Sequence, residues 1–461
     1  MRGRAGNARP RFDKTENSPF ERRKSIMKKA LALLLALAMV FSLAACGGGN
    51  DGGAADAGGN PPADTGSDAP ADTGSDSGFK DARSLQAEFP DQVAWNDMSE
   101  EELLELAKAE GGDITIYGIS SRIEKICDLF NEKYADDGLK AVAFDLDQTE
   151  AIDKVRTEAE TKNVNADVLQ CKDVAGDIFI EFVPLKYVEL YFPTDICEHI
   201  VDENLMTYGM PFYSTLSYWY YNTDLFPDAE PITNWWQFVE KDENGNQKYS
   251  IVAKEIGTEQ AYLSLFASFI VNADAMEKAY EDLYGEPLEY TYDASEFTDM
   301  VVPENNAGYE FMYRFSQQEM TFISDGDEIV SAVHNGIEGR PTFGLASAGK
   351  ISGRDDDGLS IAWLTDLQPY NGIQNCNYLY PIAGCDSPAG ARLFIRFMMG
   401  DGFEAMCKEG NWSVVDNFEN PKNPFPISEA NAIAPDLEAI YSVFLDTQDA
   451  WIFWLNQNTN M

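Results

Sequence analysis

The chain has 461 residues, of which 44% are hydrophobic and 12% aromatic, so it can bury a large core and is neither wholly disordered nor collagen-like. This length suggests two or three domains. A formal net charge of −44 argues against nucleic acid as the main partner, because phosphate backbones attract basic proteins.

An apolar run near the N-terminus has the form of a signal peptide. Two lysines precede residues 30–45, a run that is shorter than the ~20 residues of a membrane span. It ends in Leu43-Ala-Ala-Cys46-Gly47, which resembles the bacterial lipobox, whose cysteine is lipidated after cleavage. We therefore predict that residues 1–45 are a signal peptide and that Cys46 is lipidated. An ordinary signal peptide with a chance cysteine is the alternative.

Residues 1–26 precede a signal peptide that is already complete from Met27. Residues 27–45 are thus predicted as the true signal, and translation from Met1 or from Met27 remains open.

A low-complexity segment follows the lipobox. Residues 47–78 are almost entirely Gly, Ala, Asp, Ser, Thr, Pro and Asn, and the heptapeptide at 62–68 recurs at 70–76. Such a composition predicts a flexible tether over 46–78, with a reach of about 30 Å.

The first folded half reads as alternating strands and helices. Ser99 and Glu102 can form a capping box at the start of a helix that ends near Gly111, within a lead-in segment over 79–112. Strands are then predicted at 113–117, 141–144 and 166–170, with helices from Arg122 and over 149–162. This order predicts an open parallel sheet.

The second half begins with an aromatic-rich strand at 218–222. Further strands are predicted at 250–253, 341–344, 359–364 and 377–382, and helices at 235–238, 262–271, 324–335, 389–399 and 435–455.

Three stretches of sequence, in order, resemble the type 2 extracellular solute-binding proteins. Residues 105–117 look like the beginning of their first lobe, Tyr221-Asn-Thr-Asp-Leu-Phe226 with Trp235 like the crossing into lobe two, and residues 379–397 like the return strand and helix. The closest likeness is to the ferric, polyamine and thiamine-type branch.

The resemblance implies an α/β fold of two lobes, each a mixed, mostly parallel sheet flanked by helices, joined by crossover strands. Lobe 1 is predicted to span 113–215 with 373–415, and lobe 2 to span 216–372 with 416–461. The implied function is capture of a small polar solute and its delivery to the permease and ATPase of an ABC-type importer. The protein is expected to be a monomer on the outer face of a bacterial membrane, held by its lipid anchor only.

Candidate ligand-binding residues are those that follow the predicted strands, since ligands of open α/β sheets bind beyond the carboxyl ends of strands and at helix N-termini. Plain helix capping, solvated loops and core packing are the competing interpretations. The candidates are Ser120, Ser121, Lys172, Asp173, Thr258, Glu259, Gln260 and Ser347, with Trp219 from the aromatic cluster.

The charge of the ligand stays open at this point. Lys172 would serve an anion, whereas Asp173 and Glu259 would serve a polyamine; a sugar, sugar phosphate, phosphonate or metal is also possible. Ferric relatives carry two adjacent tyrosines where this chain has Ala346-Ser347-Ala348. The adjacent pair Tyr220-Tyr221 lies in a strand and points to opposite faces, so ferric iron is disfavoured.

Other functions are less well supported. The chain has two histidines and no Gly-x-Ser-x-Gly, His-Glu-x-x-His or phosphate-loop pattern, so no enzyme activity, cofactor or metal is expected. A surface hydrolase acting through carboxylates and a lipoprotein that presents ligand to a sensor are the alternatives. Six cysteines follow Cys46 without a Cys-x-x-Cys pair, and their spacing fixes no disulfide pairing.

Overall fold

The structure is a computed structural model that describes residues 80–228, 230–298, 300–337 and 340–459. The predicted signal peptide, the lipidation site Cys46 and the predicted tether over 46–78 lie outside these residues. Across the described ranges, no helix is long and apolar enough to cross a membrane.

The described chain alternates helices and strands. The strands are β1 Asp113–Gly118, β2 Lys140–Asp145, β3 Val168–Lys172, β4 Met210–Asn222, β5 Ser250–Ala253, β6 Met320–Phe322, β7 Thr342–Ser347, β8 Ile361–Trp363, β9 Gly372–Pro381 and β10 Asn411–Ser413. The α-helices are α1 Ala82–Gln86, α2 Pro90–Val93, α3 Glu100–Glu110, α4 Arg122–Lys133, α5 Gln148–Thr161, α6 Thr194–Cys197, α7 Gln260–Val271, α8 Ala273–Tyr284, α9 Ala307–Ser316, α10 Gly326–Asn335, α11 Gly353–Asp356, α12 Pro388–Met399 and α13 Leu437–Thr459.

All ten strands belong to one sheet. Its order is β2-β1-β3-β9-β4-β7-β5-β6, and β8 and β10 each pair with β4. Strands β1, β2 and β3 run parallel, as do β5, β6 and β7, while β4 and β9 pair antiparallel between the two groups. The sheet is therefore two parallel blocks joined by the crossover strands β4 and β9, as the two-lobed fold predicts.

Local sequence explains most of the elements of lobe 1. The Ser99 side chain accepts from the Glu102 amide, and the Glu102 carboxylate accepts from the Ser99 amide, which confirms the predicted capping box on α3. Helix α4 buries Ile123, Ile126 and Phe130 on one stripe, the spacing that places side chains on a single helical face. The three predicted parallel strands are confirmed.

The buried apolar residues divide at the crossover strands. One cluster packs around β1, β2, β3 and α12, and two others, one around Trp219 and one around Tyr220, pack on the two faces of the sheet in lobe 2. A small fourth cluster joins Ala175 after β3 to Leu263 of α7 and Ile440 of α13. The C-terminal helix α13 thus packs on lobe 2 but begins beside lobe 1.

All six described cysteines are free thiols: Cys127 and Cys171 are buried, and Cys197, Cys376, Cys385 and Cys407 are half-buried. No disulfide therefore contributes to the described fold, and the two lobes are held by packing and by the sheet.

Candidate functional site

The two parallel blocks point the carboxyl ends of their strands toward the region between the lobes. In lobe 1, Ser120 and Ser121 follow β1, and Lys172 ends β3. In lobe 2, residues 254–259 follow β5, and Ser347 ends β7. The strand topology therefore brings most of the predicted site residues to one cleft.

The serines after β1 stand at an open helix start. Ser121 is exposed and occupies the N-cap of α4, but its side chain makes no capping hydrogen bond. The Ser120 hydroxyl lies 3.4 Å from the Arg122 amide, a marginal distance for a hydrogen bond. Ser121 therefore does not cap the helix, which was the alternative to a ligand-binding role for this residue. Its hydroxyl remains available to a ligand.

The loop before α7 forms the facing rim in lobe 2. Glu259 occupies the N-cap of α7 without capping it, and its carboxylate pairs with Lys254 at 2.7 Å. Thr258 is exposed and donates from its hydroxyl to the Glu255 carbonyl at 3.1 Å. Gln260 is half-buried in the first turn. The start of α7 is thus also open to the cleft.

Charged groups of both lobes influence the pKa of Lys172. Its backbone is held on both sides by the Gln148 side chain. Desolvation lowers the pKa of its ammonium; Glu259 opposes this shift, and Lys254 and Lys408 add to it. Since Glu259 and Lys254 belong to lobe 2, Lys172 of lobe 1 lies within electrostatic reach of the opposite rim.

The Asp173 side chain is bonded within lobe 1. It is buried, and its carboxylate accepts from the Ile178 amide at 3.2 Å and the Phe179 amide at 2.8 Å. Burial raises the pKa of this carboxyl to about 7. The expectation that Asp173 contacts ligand is corrected, because its side chain is already engaged by the turn that begins at Asp177.

Trp219 is likewise corrected. It is fully buried, and its ring lies 4.4 Å from the Phe238 ring and 5.8 Å from the Trp235 ring, between centroids. The aromatic cluster is the core of lobe 2, so it offers no stacking surface to a ligand. Tyr220 and Tyr221 belong to different clusters on opposite faces of β4, as the strand alternation predicts.

Ser347 lies beside a loop that the sequence did not single out. Its backbone pairs with Ser217, and its side chain is exposed. The next residues pack against the loop before β10. A Cβ atom on Gly410 would lie 2.5 Å from the Gly349 backbone, and the backbone φ of +87° at Gly410 favours glycine. This close approach carries Lys408 to the same edge as Ser347.

Lys408 and Arg122 complete a basic cluster that sequence reasoning missed. The protein around Lys408 desolvates its ammonium and lowers its pKa, and Arg122 and Lys350 lower it further. The Arg122 guanidinium donates to the Ala405 carbonyl at 2.9 Å rather than to a carboxylate. Nothing local marks Lys408; Arg122, by contrast, directly follows the predicted serines.

The crossover strands place polar side chains between the lobes. Lys172, Asn377 and Tyr213 are paired across three neighbouring strands and so face one side of the sheet. Gln170 accepts from the Ile119 amide at 3.0 Å and donates to Asn377 at 2.8 Å. Two buried amide atoms, Asn375 Oδ1 and Asn377 Nδ2, have no partner within the described residues. The sequence signal for these residues was an amide side chain within a predicted strand: Gln170 in the strand at 166–170 and Asn377 in the strand at 377–382.

Among the described residues, no group of three or more His, Cys, Asp or Glu side chains could hold a metal ion. The predicted absence of a metal site stays a prediction, since tyrosine and water ligands are not part of that set.

Comparison with known proteins places this geometry in a family. The profile of bacterial extracellular solute-binding proteins matches residues 125–425. Comparison with curated proteins finds no match.

Solved structures share the fold at low identity. Iron-bound HitA from Pseudomonas aeruginosa is 13% identical with a TM-score of 0.53, covering 75% of this chain and 99% of its own. An ABC transporter substrate-binding protein from Bradyrhizobium japonicum USDA 110 is 12% identical with a TM-score of 0.53, covering 75% and 100%. The apo ferric ion-binding protein A of Pasteurella haemolytica is 13% identical with a TM-score of 0.52, covering 76% and 98%. At this identity the likeness shows the fold alone.

Proposed function

The chain belongs to the bacterial extracellular solute-binding proteins, the binding components that deliver solutes to ABC importers, and we propose that it holds a small polar solute between its lobes. The proposed contacts are Ser120, Ser121 and Lys172 from lobe 1, with Thr258, Gln260 and Ser347 from lobe 2. Lys408, which the sequence did not indicate, joins them. The protein acts by closure on its ligand, without turnover.

One observation carries this proposal. Lys172 ends β3 of lobe 1 at the level of Tyr213 on β4, and Ser347 ends β7 of lobe 2 opposite Ser217 on the same strand, so both strand ends meet at the middle of β4. Both helices that begin at these rims, α4 and α7, lack a side-chain cap. Unpaired backbone N–H groups at a helix start bind polar oxygens, so the cleft presents donors from both sides.

The test combines a solute screen with a measurement of shape. A ligand at 100 times its Kd stabilises the folded state by about 2.7 kcal/mol, which is visible as a thermal shift. Small-angle scattering of the same sample should show a more compact particle, since closure brings the lobes together. Ser121→Ala and Ser347→Ala should weaken the shift.

Ser442→Ala is the matched control, because Ser442 is exposed on α13 and bonds within its own helix. The proposal fails if the variants at Ser121 and Ser347 fold and bind as the Ser442 variant does.

The proposal includes a lipid anchor at Cys46. It is supported by the lipobox-like Leu43-Ala-Ala-Cys46 after an apolar run and by the low-complexity segment behind it. The anchor and tether keep the binding unit near its importer at the outer face of the membrane, where the unit acts as a monomer.

Mass spectrometry of membrane-extracted protein should find a modified N-terminal cysteine. Cys46→Ser should release the protein from the membrane without changing its ligand affinity. A Cys46→Ser protein that is still cleaved there and still membrane-bound would contradict the anchor.

A further inference from the structure

We propose that the C-terminal helix α13 is a latch between the lobes. Its second half is fixed in lobe 2, its middle holds the cleft rim of that lobe, and its first two turns fasten to lobe 1. The helix runs over Leu437–Thr459, a length of about 35 Å at 1.5 Å per residue, which is enough to reach from one lobe to the other. This role goes beyond solute capture, because it concerns the arrangement of the lobes before any solute binds.

The second half of α13 is anchored in the core of lobe 2. Trp451 and Trp454 are fully buried, and both belong to the aromatic cluster of that lobe. Near the end of the helix, the Asn458 side chain donates to the Ser316 carbonyl at 3.0 Å. Pulling this half away would expose two indole rings to water, so it is the fixed end of the helix.

The middle of α13 holds the loop that leads into the proposed ligand contacts of lobe 2. The Gln448 side chain donates to the Gly257 carbonyl at 2.6 Å, and the Trp451 indole donates to the Glu255 carboxylate at 2.9 Å. The same carboxylate accepts from the Gly257 amide at 2.9 Å. Residues 258–260 follow this loop directly, so the position of α13 determines the position of the rim.

The first turns of α13 dock on lobe 1 through polar contacts. The Leu437 amide donates to the Tyr208 hydroxyl at 3.0 Å, and the Tyr441 hydroxyl donates to the Glu181 carboxylate at 2.8 Å. Gly176 permits this close approach, because a Cβ atom there would lie 3.1 Å from the Leu437 carbonyl oxygen and 3.3 Å from the Tyr441 Cβ atom. The helix start and lobe 1 are therefore in direct contact.

The apolar contacts of these turns belong mainly to lobe 2. Ile440 and Phe444 pack in a small cluster with Leu263 and Ala267 of α7 and with Ala175 of lobe 1. In the part of the chain that the structure describes, Ala175 is the one buried member of this cluster from lobe 1, and it contributes a single methyl group. Most of the cluster therefore stays intact when α13 leaves lobe 1.

A rigid helix cannot keep both sets of contacts when the lobes move apart. Buried indole rings fix the second half, whereas hydrogen bonds and one methyl contact hold the first turns, so release from lobe 1 is the less costly step. Closure of the lobes re-forms the lobe 1 contacts. Because the same helix holds the rim at residues 255–257, a solute bound at this rim favours the docked helix.

Hydrogen–deuterium exchange and small-angle scattering of the ligand-free full chain test the latch. Tyr441→Phe keeps the ring and removes the hydroxyl that bonds to Glu181. Amides at 440–446 should exchange about 3- to 10-fold faster, the effect of one lost hydrogen bond, while amides at 451–456 exchange as in the parent. The radius of gyration should increase, because the lobes separate more often.

Ser442→Ala is the matched control on the same helix, because Ser442 is exposed and donates to the Ala439 carbonyl of its own helix. It should exchange and scatter like the parent. Gln448→Met tests the hold on the rim, since it keeps the length of the side chain and removes its donor. Amides at 257–262 should then exchange faster, and amides at 440–444 should not change.

Three results would overturn the latch. The first is a Tyr441→Phe protein that exchanges and scatters like Ser442→Ala. The second is faster exchange along the whole of α13 with a lower unfolding temperature, which would show that Tyr441 stabilises the entire fold rather than one arrangement of the lobes. The third is unchanged exchange at 257–262 in Gln448→Met. Solute capture is not affected by any of these results, since no solute is present.

Discussion

In each lobe, the helix that follows the edge strand (the outer helix) begins differently from the helix that follows the adjacent inner strand (the inner helix). In lobe 1, α5 follows the edge strand β2 and is capped by Asp147, whereas α4 follows the inner strand β1 and has no side-chain cap. In lobe 2, α10 follows the edge strand β6 and is capped by Asp325, whereas α7 follows β5 and has none. Both lobes thus cap the helix after the edge strand with an aspartate and leave the helix after the neighbouring inner strand without a side-chain cap.

This difference separates groups that stabilise the fold from groups that are free to bind. A capped helix start satisfies its N–H groups within the protein and gains stability. An open start leaves N–H groups and a positive dipole end for water or for an anion. The comparison therefore predicts that outer caps affect stability and inner residues affect ligand affinity.

The largest expected effect concerns Asp173, a capping carboxylate that is buried next to the cleft. Its folded pKa of about 7 lies above the ordinary value of about 3.9. Between these two pH values the folded state holds a proton that the unfolded state has released. Its contribution to stability is present below pH ~4 and is lost as the pH rises to about 7, at up to ~1.4 kcal/mol per pH unit.

Asp173→Asn removes this titration. Urea unfolding from pH 4 to pH 8 should show a flatter pH dependence for the variant than for the parent. Equal slopes for the two proteins would show that Asp173 is not titrating in this range.

A smaller effect is expected at Glu110, which caps a helix from a neighbouring element. Its carboxylate accepts from the Ala389 and Gly390 amides of α12, at 2.9 and 3.1 Å. Glu110→Ala should lower the free energy of unfolding by about 1–2 kcal/mol and leave ligand affinity unchanged. Chemical denaturation measures the first and calorimetry the second; a loss of affinity at unchanged stability would break the comparison.

Asp147 and Ser121 are a matched pair at neighbouring helix starts in lobe 1. Asp147 accepts from the Glu150 amide at 2.7 Å, so Asp147→Ala should cost about 1 kcal/mol of stability and no affinity. Ser121 accepts no such bond, so Ser121→Ala should change stability by less than about 0.5 kcal/mol. Its effect should appear in ligand affinity alone, and a reversed pattern would contradict the division into outer caps and inner binding residues.

The family, the two-lobed fold and the solute-binding role were predictable from local sequence, and these predictions are confirmed. Capping residues, apolar stripes and short β-rich runs are local signals, and they placed most helices and strands near their observed bounds. The lipid anchor and the individual ligand contacts stay predictions.

Which candidate side chains are free depends on how the chain folds. Trp219 carries an indole N–H that could bond a ligand, but the sheet turns this side chain into the core. Lys172 and Asp173 are neighbours in the chain, yet among the described residues the Lys172 ammonium makes no hydrogen bond or ion pair, whereas the Asp173 carboxylate accepts from the Ile178 and Phe179 amides. Lys408 comes to the site because two glycines let distant loops touch. Burial, pairing and close backbone approach depend on residues far apart in sequence, and no local pattern encodes them.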